Sequence, residues 1–133
     1  MKSLDVFNLK GKVAIITGAS KGIGKAIAFA LGDCGAQVVI SSRNQESLDE
    51  VVSEFKESGI DAFAVAANVG DMDHVANLVA KTIEHFGGID IVVNNAATNP
   101  IFGTLVDADV AAFDKIMNVN VKGVFELSKK AQP

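Results

Sequence analysis

The sequence predicts an α/β fold in which helices cover both faces of a parallel sheet. The first observation is that short apolar runs occur four times along the chain, as expected for strands that are buried on both faces. The second is that the segments between these runs carry apolar residues at helical spacing. We expect a doubly wound sheet with strand order 3-2-1-4 and right-handed crossovers.

The first strand and helix follow one another between residues 13 and 33. Val13 to Ile16 is a continuous apolar run, and a helix is predicted over 22–33. Its buried stripe is predicted to consist of Ile23, Ile27, Ala30 and Leu31. Gly35 favours the end of this helix, and the apolar run 37–40 predicts the second strand.

The next two helices have capping residues at their predicted starts. Asn44 precedes a helix whose apolar stripe includes Leu48 and Phe55, and the third strand is predicted over 62–67. Asp71 caps the following helix, which ends before Gly87. Its predicted stripe consists of Val75, Leu78, Val79, Ile83 and Phe86.

The last part of the chain contains one more strand and a long helix. The fourth strand is predicted over 89–93, and Asp109 is placed to cap a helix over about 110–130. Asparagine and glycine are poor residues for the middle of a helix, so Asn118, Asn120 and Gly123 predict a local kink.

Composition limits the classes of function. The chain of 133 residues suffices for one domain, and its net charge of −4 provides no basic footprint for nucleic acid. No apolar run approaches the roughly 18 residues that span a membrane, and the first residues do not resemble a signal peptide. One cysteine permits no internal disulfide, which favours a cytoplasmic location. His74 and His85 lack metal-ligand spacing, so no metal site is predicted.

Glycines follow the first strand with the spacing Gly-x-x-x-Gly-x-Gly, at residues 18–24. Gly18 permits a tight turn, Gly22 leaves room for a ligand, and Gly24 allows close packing. The free N–H groups at the start of the following helix favour a phosphate. A P-loop is excluded because five residues separate Gly18 from Gly24-Lys25 and no hydroxyl residue follows. A tight turn without a ligand is the simpler alternative.

Two cations are predicted to meet near the end of the second strand. NAD-binding domains place Asp or Glu there to hold the ribose hydroxyls, but this chain has Arg43, with Lys21 in the glycine loop. Arginine grips phosphate with a fork of donors, so the pair suits a ribose 2′-phosphate. The alternative is that both are ordinary surface cations. Arg43 also argues against a methyltransferase, which usually has an acidic residue after this strand.

The glycine spacing after Thr17, together with Asn68-Val69, Asn94-Asn95 and Asn120, resembles the short-chain dehydrogenase/reductase family, whose fold is of the Rossmann type. The resemblance implies that residues 1–133 are the N-terminal, NADP(H)-binding part of one such domain, ending before a fifth strand. Ala97 departs from the family's Asn-Asn-Ala-Gly pattern. The residues expected to bind the cofactor are Gly18, Ser20, Lys21, Ile23, Gly24, Arg43, Asn68, Val69 and Asn95. Asn95 either contacts the cofactor or braces the sheet.

The same resemblance implies hydride transfer between NADP(H) and a small ketone or secondary alcohol. Asn120 corresponds to a catalytic asparagine whose backbone positions a water. The loop 98–103 is similar to that of carbonyl and retinal reductases, and the last helix is expected to form a homo-oligomer interface. The family's Tyr-x-x-x-Lys acid/base pair is absent, since the chain has no tyrosine, so this chain alone is predicted to be inactive. The alternative is an inert nucleotide-binding or self-associating module.

Overall fold

The computed structural model describes residues 3–133, and its centre is a single parallel sheet. The strands are β1 (Val13–Thr17), β2 (Gln37–Ser42), β3 (Ala62–Ala66) and β4 (Ile91–Val93). They lie in the order β3-β2-β1-β4, and all three neighbouring pairs are parallel. The predicted α/β class and the predicted strand order are confirmed.

Within residues 3–133 there are five α-helices. They are α1 (Gly22–Asp33), α2 (Gln45–Glu57), α3 (Met72–Phe86), α4 (Val110–Met117) and α5 (Gly123–Ala131). Of these, α1, α2 and α3 pack directly against strands of the sheet. Two short 3-10 helices cover Ser3–Phe7 and Leu105–Asp107, and a π-helical segment covers Asn118–Lys122. None of the helices within residues 3–133 has the length and apolar character needed to cross a bilayer.

The alternation of β1 divides the core into two layers. Ala14 and Ile16 pack with the buried residues of α1 and α2, whereas Ile15 packs with α3 and α5 through residues such as Leu78 and Leu127. Successive side chains of a strand point to opposite faces, so a strand with helices on both sides must be apolar throughout. This is why Val13–Thr17 is buried at every position.

The predicted caps are confirmed. The side chain of Asn44 accepts from the Ser47 N–H at 3.0 Å, and Asp71 accepts from the Asp73 N–H at 2.9 Å. The carboxylate of Asp109 accepts from the Ala112 N–H at 2.7 Å. Each side chain satisfies an N–H group that has no partner within its own helix.

The stripe predicted for α1 is wrong in two places. Ile23 is 75% exposed and Ala30 is also exposed, while the buried residues are Gly24, Ala28 and Gly32. Ile27 and Leu31 flank this small-residue ridge as partly buried side chains. Small residues at four-residue spacing let the helix axis approach its neighbours, and the larger residues then lie beside the contact rather than in it.

The stripe predicted for α3 also needs one correction. Ile83 is 48% exposed, and Thr82 is buried in its place. The Thr82 hydroxyl donates to the Leu78 carbonyl at 2.8 Å, so burial leaves no unsatisfied polar group. A hydropathy pattern does not reveal a hydroxyl that is satisfied within its own helix.

The strand bounds differ from the prediction by one residue at the ends of β1 and β3 and by two residues at β2 and β4. β2 extends through Ser41 and Ser42, which were expected to follow the strand. β4 begins at Ile91 rather than at Ile89. Just before this start, the Asp90 carboxylate accepts from the Val13 N–H at 2.8 Å, while the Asp90 N–H donates to the Val13 carbonyl at 2.9 Å.

The predicted long helix near the end of the chain is interrupted at the predicted kink. α4 and α5 are joined by the π-helical segment, which contains Asn118 and Asn120. Gly123 has ordinary helical dihedral angles, and a side chain there would collide with the Val69 carbonyl. Its role is therefore close contact rather than unusual backbone conformation.

Within residues 3–133, β4 lies at an edge of the sheet, where it pairs with β1. A hollow of 260 Å³ beside it is lined by Val92, Asn94, Ser128 and the last residues of the chain, among others. The three residues of β4 are only partly buried, whereas every residue of β1 is buried.

Candidate functional site

A groove of about 1340 Å³ lies along the edge of the sheet where the strands end. Its walls come from the loops that follow β1, β2, β3 and β4, which is the ligand-binding edge of an open α/β sheet. The predicted binding residues that line it are Gly18, Ser20, Lys21, Arg43, Asn68, Val69 and Asn95. Ile23, Gly24 and Asn120 do not belong to the lining, so cofactor binding by Ile23 and Gly24 and the catalytic role of Asn120 stay predictions.

The glycine loop has the geometry expected from its spacing. Gly18 has a φ of 64°, and a Cβ at Gly24 would lie 2.8 Å from the carbonyl carbon of Gly18. The close packing predicted for Gly24 is confirmed, although its partner is the Gly18 turn rather than the strand. At Gly22 the space is open. No side chain caps the start of α1 at Lys21, so the first N–H groups of this helix have no side-chain acceptor.

Asn95 braces this loop. Its Nδ2 donates to the carbonyls of Thr17 at 3.1 Å and Gly18 at 3.2 Å. Its backbone N–H and that of Ala96 both donate to the Thr17 hydroxyl, at 3.1 and 3.0 Å. Of the two roles expected for Asn95, bracing is the one that these contacts provide, and contact with a cofactor stays a prediction.

The end of β2 brings unpaired polar groups to the groove. Within residues 3–133, the buried hydroxyls of Ser41 and Ser42 have no hydrogen-bond partner. Ser42 lines the groove beside Arg43. Neither Lys21 nor Arg43 takes part in an ion pair within the described chain, in contrast to Lys25, which pairs with Glu54 at 2.6 Å. A buried polar group without a partner is costly, so the Ser42 hydroxyl favours a polar ligand. Lys21 and Arg43 are exposed and add positive charge at the groove.

Sequence reasoning did not assign Ser42 to the site. A signal was available, because a serine at the carboxyl end of a buried strand lies at the ligand-binding edge of such a sheet. The other lining residues that were not predicted come mostly from α2 and from the π-helical segment with its neighbours; they include Glu50, Glu54, Gly70, Lys115, Asn118 and Val119. Their approach to the groove depends on how the helices pack.

The turn after β3 is held by three hydrogen bonds. The Asp71 N–H donates to the Asn68 carbonyl at 2.9 Å, and the Gly70 N–H donates to Asn68 Oδ1 at 2.9 Å. The Asn68 N–H in turn donates to Nδ1 of His74 at 3.0 Å. Asn68 and Val69 therefore form a fixed part of the groove wall.

Asn120 is bonded to the loop after β4. Its Oδ1 accepts from the Thr98 N–H and its Nδ2 donates to the Thr98 carbonyl, both at 2.8 Å. The side chain is thus committed to the backbone, while the neighbouring Asn118 and Val119 line the groove. Among residues 3–133, no group of three or more His, Cys, Asp or Glu side chains is placed to hold a metal ion.

Comparison with known proteins decides the family. The sequence profile of the short chain dehydrogenases matches residues 12–133. The chain belongs to the short-chain dehydrogenase family. Versicolorin reductase stcU of Emericella nidulans is 45% identical over 132 residues, which are 98% of this chain and 50% of that protein. A tropinone reductase-like protein of Erythroxylum coca is 44% identical, over 93% of this chain and 48% of its own length. The chain spans about half the length of the curated relatives it matches.

Solved structures of the family share the fold. A short-chain dehydrogenase/reductase of Mycobacterium marinum superposes with a TM-score of 0.92 at 37% identity, covering 98% of this chain and 53% of its own. A short-chain dehydrogenase of Burkholderia cenocepacia, solved in complex with NADP, has a TM-score of 0.87 at 40% identity and covers 93% and 51% of the two chains. The short-chain dehydrogenase fold, a Rossmann-like sheet with flanking helices, is therefore shown for this half-length chain.

Proposed function

We propose that this chain is the NADP(H)-binding part of a single Rossmann-fold domain of a short-chain oxidoreductase. Its substrate would be a small ketone or secondary alcohol. The observation that carries the proposal is the convergence of two unpaired cations, Lys21 and Arg43, and an unpartnered hydroxyl, Ser42, on one groove. The relative from Burkholderia cenocepacia, solved with NADP, is consistent with this choice.

The residues present are compatible with a dinucleotide phosphate. The uncapped start of α1 offers backbone N–H donors for a pyrophosphate, and the open space at Gly22 lets a ligand approach. Arg43 and Lys21 supply positive charge for an additional phosphate, and Ser42 Oγ supplies a hydrogen-bond donor. When bound, the nicotinamide would supply or accept the hydride.

Asn120 is proposed to contribute indirectly to proton transfer through its backbone. Its side chain is held by Thr98, which fixes the π-helical segment and leaves backbone groups there outside the regular helical pattern. Catalysis by residues 1–133 alone is not expected, because no tyrosine is present to act as acid or base.

We also propose a homo-oligomer formed through α4 and α5, and a cytoplasmic location. Exposed apolar side chains run along these helices and the π-helical segment: Phe113 (59%), Met117 (39%), Val121 (51%) and Phe125 (61%). Such a contiguous stripe is typical of an interface. The location rests on the single cysteine.

Calorimetric titration with NADPH and NADH tests the cofactor. Arg43→Ala should weaken NADPH about tenfold or more, since it removes charge-assisted hydrogen bonds, and should change NADH less than about twofold. Lys56→Ala, an exposed cation at the far end of α2, is the matched control and should change neither. Equal losses for both nucleotides would exclude the phosphate clamp, and no binding by folded protein would exclude the nucleotide site.

The absence of tyrosine also favours a second candidate, an inert nucleotide-binding or self-associating module. An assay of ketone reduction with NADPH separates the possibilities. Turnover by the 133-residue chain would contradict its proposed inactivity. Restored turnover after addition of the C-terminal half of a relative would support the oxidoreductase, and its failure with NADPH bound would support the inert module.

A further inference from the structure

His74 holds a backbone group of the groove wall. It is the third residue of α3, where Glu or Gln commonly reaches back to the N–H of the capping residue. Here the side chain reaches further, and Nδ1 accepts from the Asn68 N–H at 3.0 Å. A ring nitrogen can accept only when it carries no proton, so this contact requires neutral imidazole with its proton on Nε2.

We propose that His74 is a positioning residue for the nucleotide, whose neutral ring accepts from the Asn68 N–H and so helps to hold Asn68 in the groove wall, and whose protonation removes this support. This proposal rests on the proposed nucleotide-binding function and adds a pH dependence to it. Histidine changes charge between about pH 5 and 8, and His74⁺ has donors on both ring nitrogens. The Asn68 N–H then faces a second donor and loses its partner.

The turn depends on His74 because the other contacts hold different atoms. Gly70 lies against Val119, with 2.9 Å between the Val119 Cγ2 and the position of a Gly70 Cβ, and the Val69 carbonyl lies against Gly123. These contacts fix one side of the turn. In the described chain the Asn68 N–H has His74 as its only hydrogen-bond acceptor. Loss of that bond leaves the Asn68 N–H without its acceptor, although the Asn68 carbonyl and Oδ1 still accept from Asp71 and Gly70. The start of the turn is therefore held less firmly.

The charged surroundings of His74 limit which groups can explain a pH effect. Asp71 faces the ring from the helix start, with 3.8 Å between its Oδ2 and Nε2 of His74. From the π-helical segment the residue packed on the turn is the apolar Val119. The remaining charged groups of the groove are Lys21, Lys25, Arg43, Glu50, Glu54 and Lys115, and none forms an ion pair with His74. Protonation would gain attraction to Asp71 but lose the bond to Asn68.

Binding of NADPH measured from pH 8 to pH 5.5 tests the proposal. His74→Asn keeps an acceptor oxygen at the position of Nδ1 but does not titrate. On acidification, the affinity for NADPH should fall in both proteins. We expect the fall to be about threefold larger in the natural protein than in His74→Asn, because a change of this size corresponds to the loss of one hydrogen bond. The phosphate of NADPH titrates in the same range, but it affects both proteins equally. His74→Ala has no acceptor at this position, so at every pH it should bind NADPH as weakly as the natural protein with protonated His74 does.

His85→Asn is the matched control. His85 lies in the same helix, where its ring stacks on Phe63 with centroids 3.9 Å apart, and it lines no part of the groove. This variant should keep the pH dependence of the natural protein. Parallel curves for the natural protein and His74→Asn would overturn the positioning role while leaving the nucleotide site intact. No binding at any pH would overturn the proposed function itself and this inference with it.

A measurement without nucleotide checks the contact directly. In ¹⁵N-edited NMR spectra, the amide proton of Asn68 should move upfield in step with titration of the His74 ring, as its hydrogen bond is lost. The same resonance should stay constant in His74→Asn. An Asn68 resonance that ignores the His74 titration would overturn the proposal.

Discussion

The side-chain amide of Asn95 donates a hydrogen bond of 3.2 Å to the carbonyl of Gly18, across a separation of 77 residues in the chain. The same nitrogen also donates to Thr17. The glycine loop that follows β1 is therefore held in place by Asn95, which lies in the loop that follows β4. The Asn95 side chain thus supports both the stability of the loop and the shape of the site.

Replacement of Asn95 by alanine should destabilise the protein by about 1–3 kcal/mol, because two carbonyls lose their donor at a partly buried site. Urea unfolding measures the change. Asn94→Ala is the control, since Asn94 is exposed and its side chain donates to Ser128 Oγ at 3.1 Å. This variant should cost less than about 0.5 kcal/mol. Similar losses for both variants would show that the Asn95 clamp has no special part in stability.

Gly24→Ala should be more disruptive than its small size suggests. The added Cβ would lie 2.6 Å from Asn95 Nδ2 and 2.8 Å from the backbone carbon of Gly18, so backbone must move. We expect a loss of about 1–3 kcal/mol, the usual cost of overpacking, together with weaker NADPH binding. Gly88→Ala, where no atom lies within 4 Å of the new Cβ, serves as the control. Equal thermal stability of the two variants would contradict the close contact.

Asn120→Ala should release the loop that follows β4. It removes both 2.8 Å hydrogen bonds to the Thr98 backbone, so the Thr98 amide should exchange with deuterium at least about fivefold faster. Lys122→Ala, an exposed neighbour in the same π-helical segment, should leave that rate unchanged. Unchanged exchange in Asn120→Ala would mean that other contacts hold the loop.

Phe125→Asp should weaken self-association if the stripe on α4 and α5 is an interface. Phe125 is 61% exposed and lies beside Lys129, whose Nζ is 5.8 Å from its ring centroid. A buried charge at the centre of an interface is costly, so the dissociation constant should rise at least about tenfold in sedimentation equilibrium. Phe102→Asp, 96% exposed but outside the two helices, is the control. A natural chain that is monomeric at high concentration would exclude the homo-oligomer.

Local sequence patterns predicted much of the fold correctly. The caps at Asn44, Asp71 and Asp109 involve partners only two or three residues away, so their outcome depends little on tertiary packing. The four strands were also located correctly, because a continuous apolar run is a local property of the sequence. Errors arose where contacts with another part of the chain decide the outcome, as at the start of β4, where the Asp90 carboxylate accepts from the Val13 N–H of β1.

For the candidate site too, some features could be predicted from the sequence and others depend on contacts between distant parts of the chain. The position of the site at the carboxyl ends of the strands followed from the order of the elements. Seven of its lining residues were predicted from the glycine spacing, the two cations and the family resemblance. The exposure of Ile23 and the unpartnered hydroxyl of Ser42 were not, because they depend on how closely a helix lies on the sheet.

The sequence by itself determined the class of fold, the order of the strands and the family, since periodicity, caps and glycine spacing are local properties. Only the tertiary structure decided that Asn95 clamps Gly18, that Asn120 binds Thr98 and that His74 supports Asn68. Hydrogen bonds are short and directional, and their partners come from different loops or turns. The packing of the surrounding strands and helices must therefore be established before any of these contacts is defined.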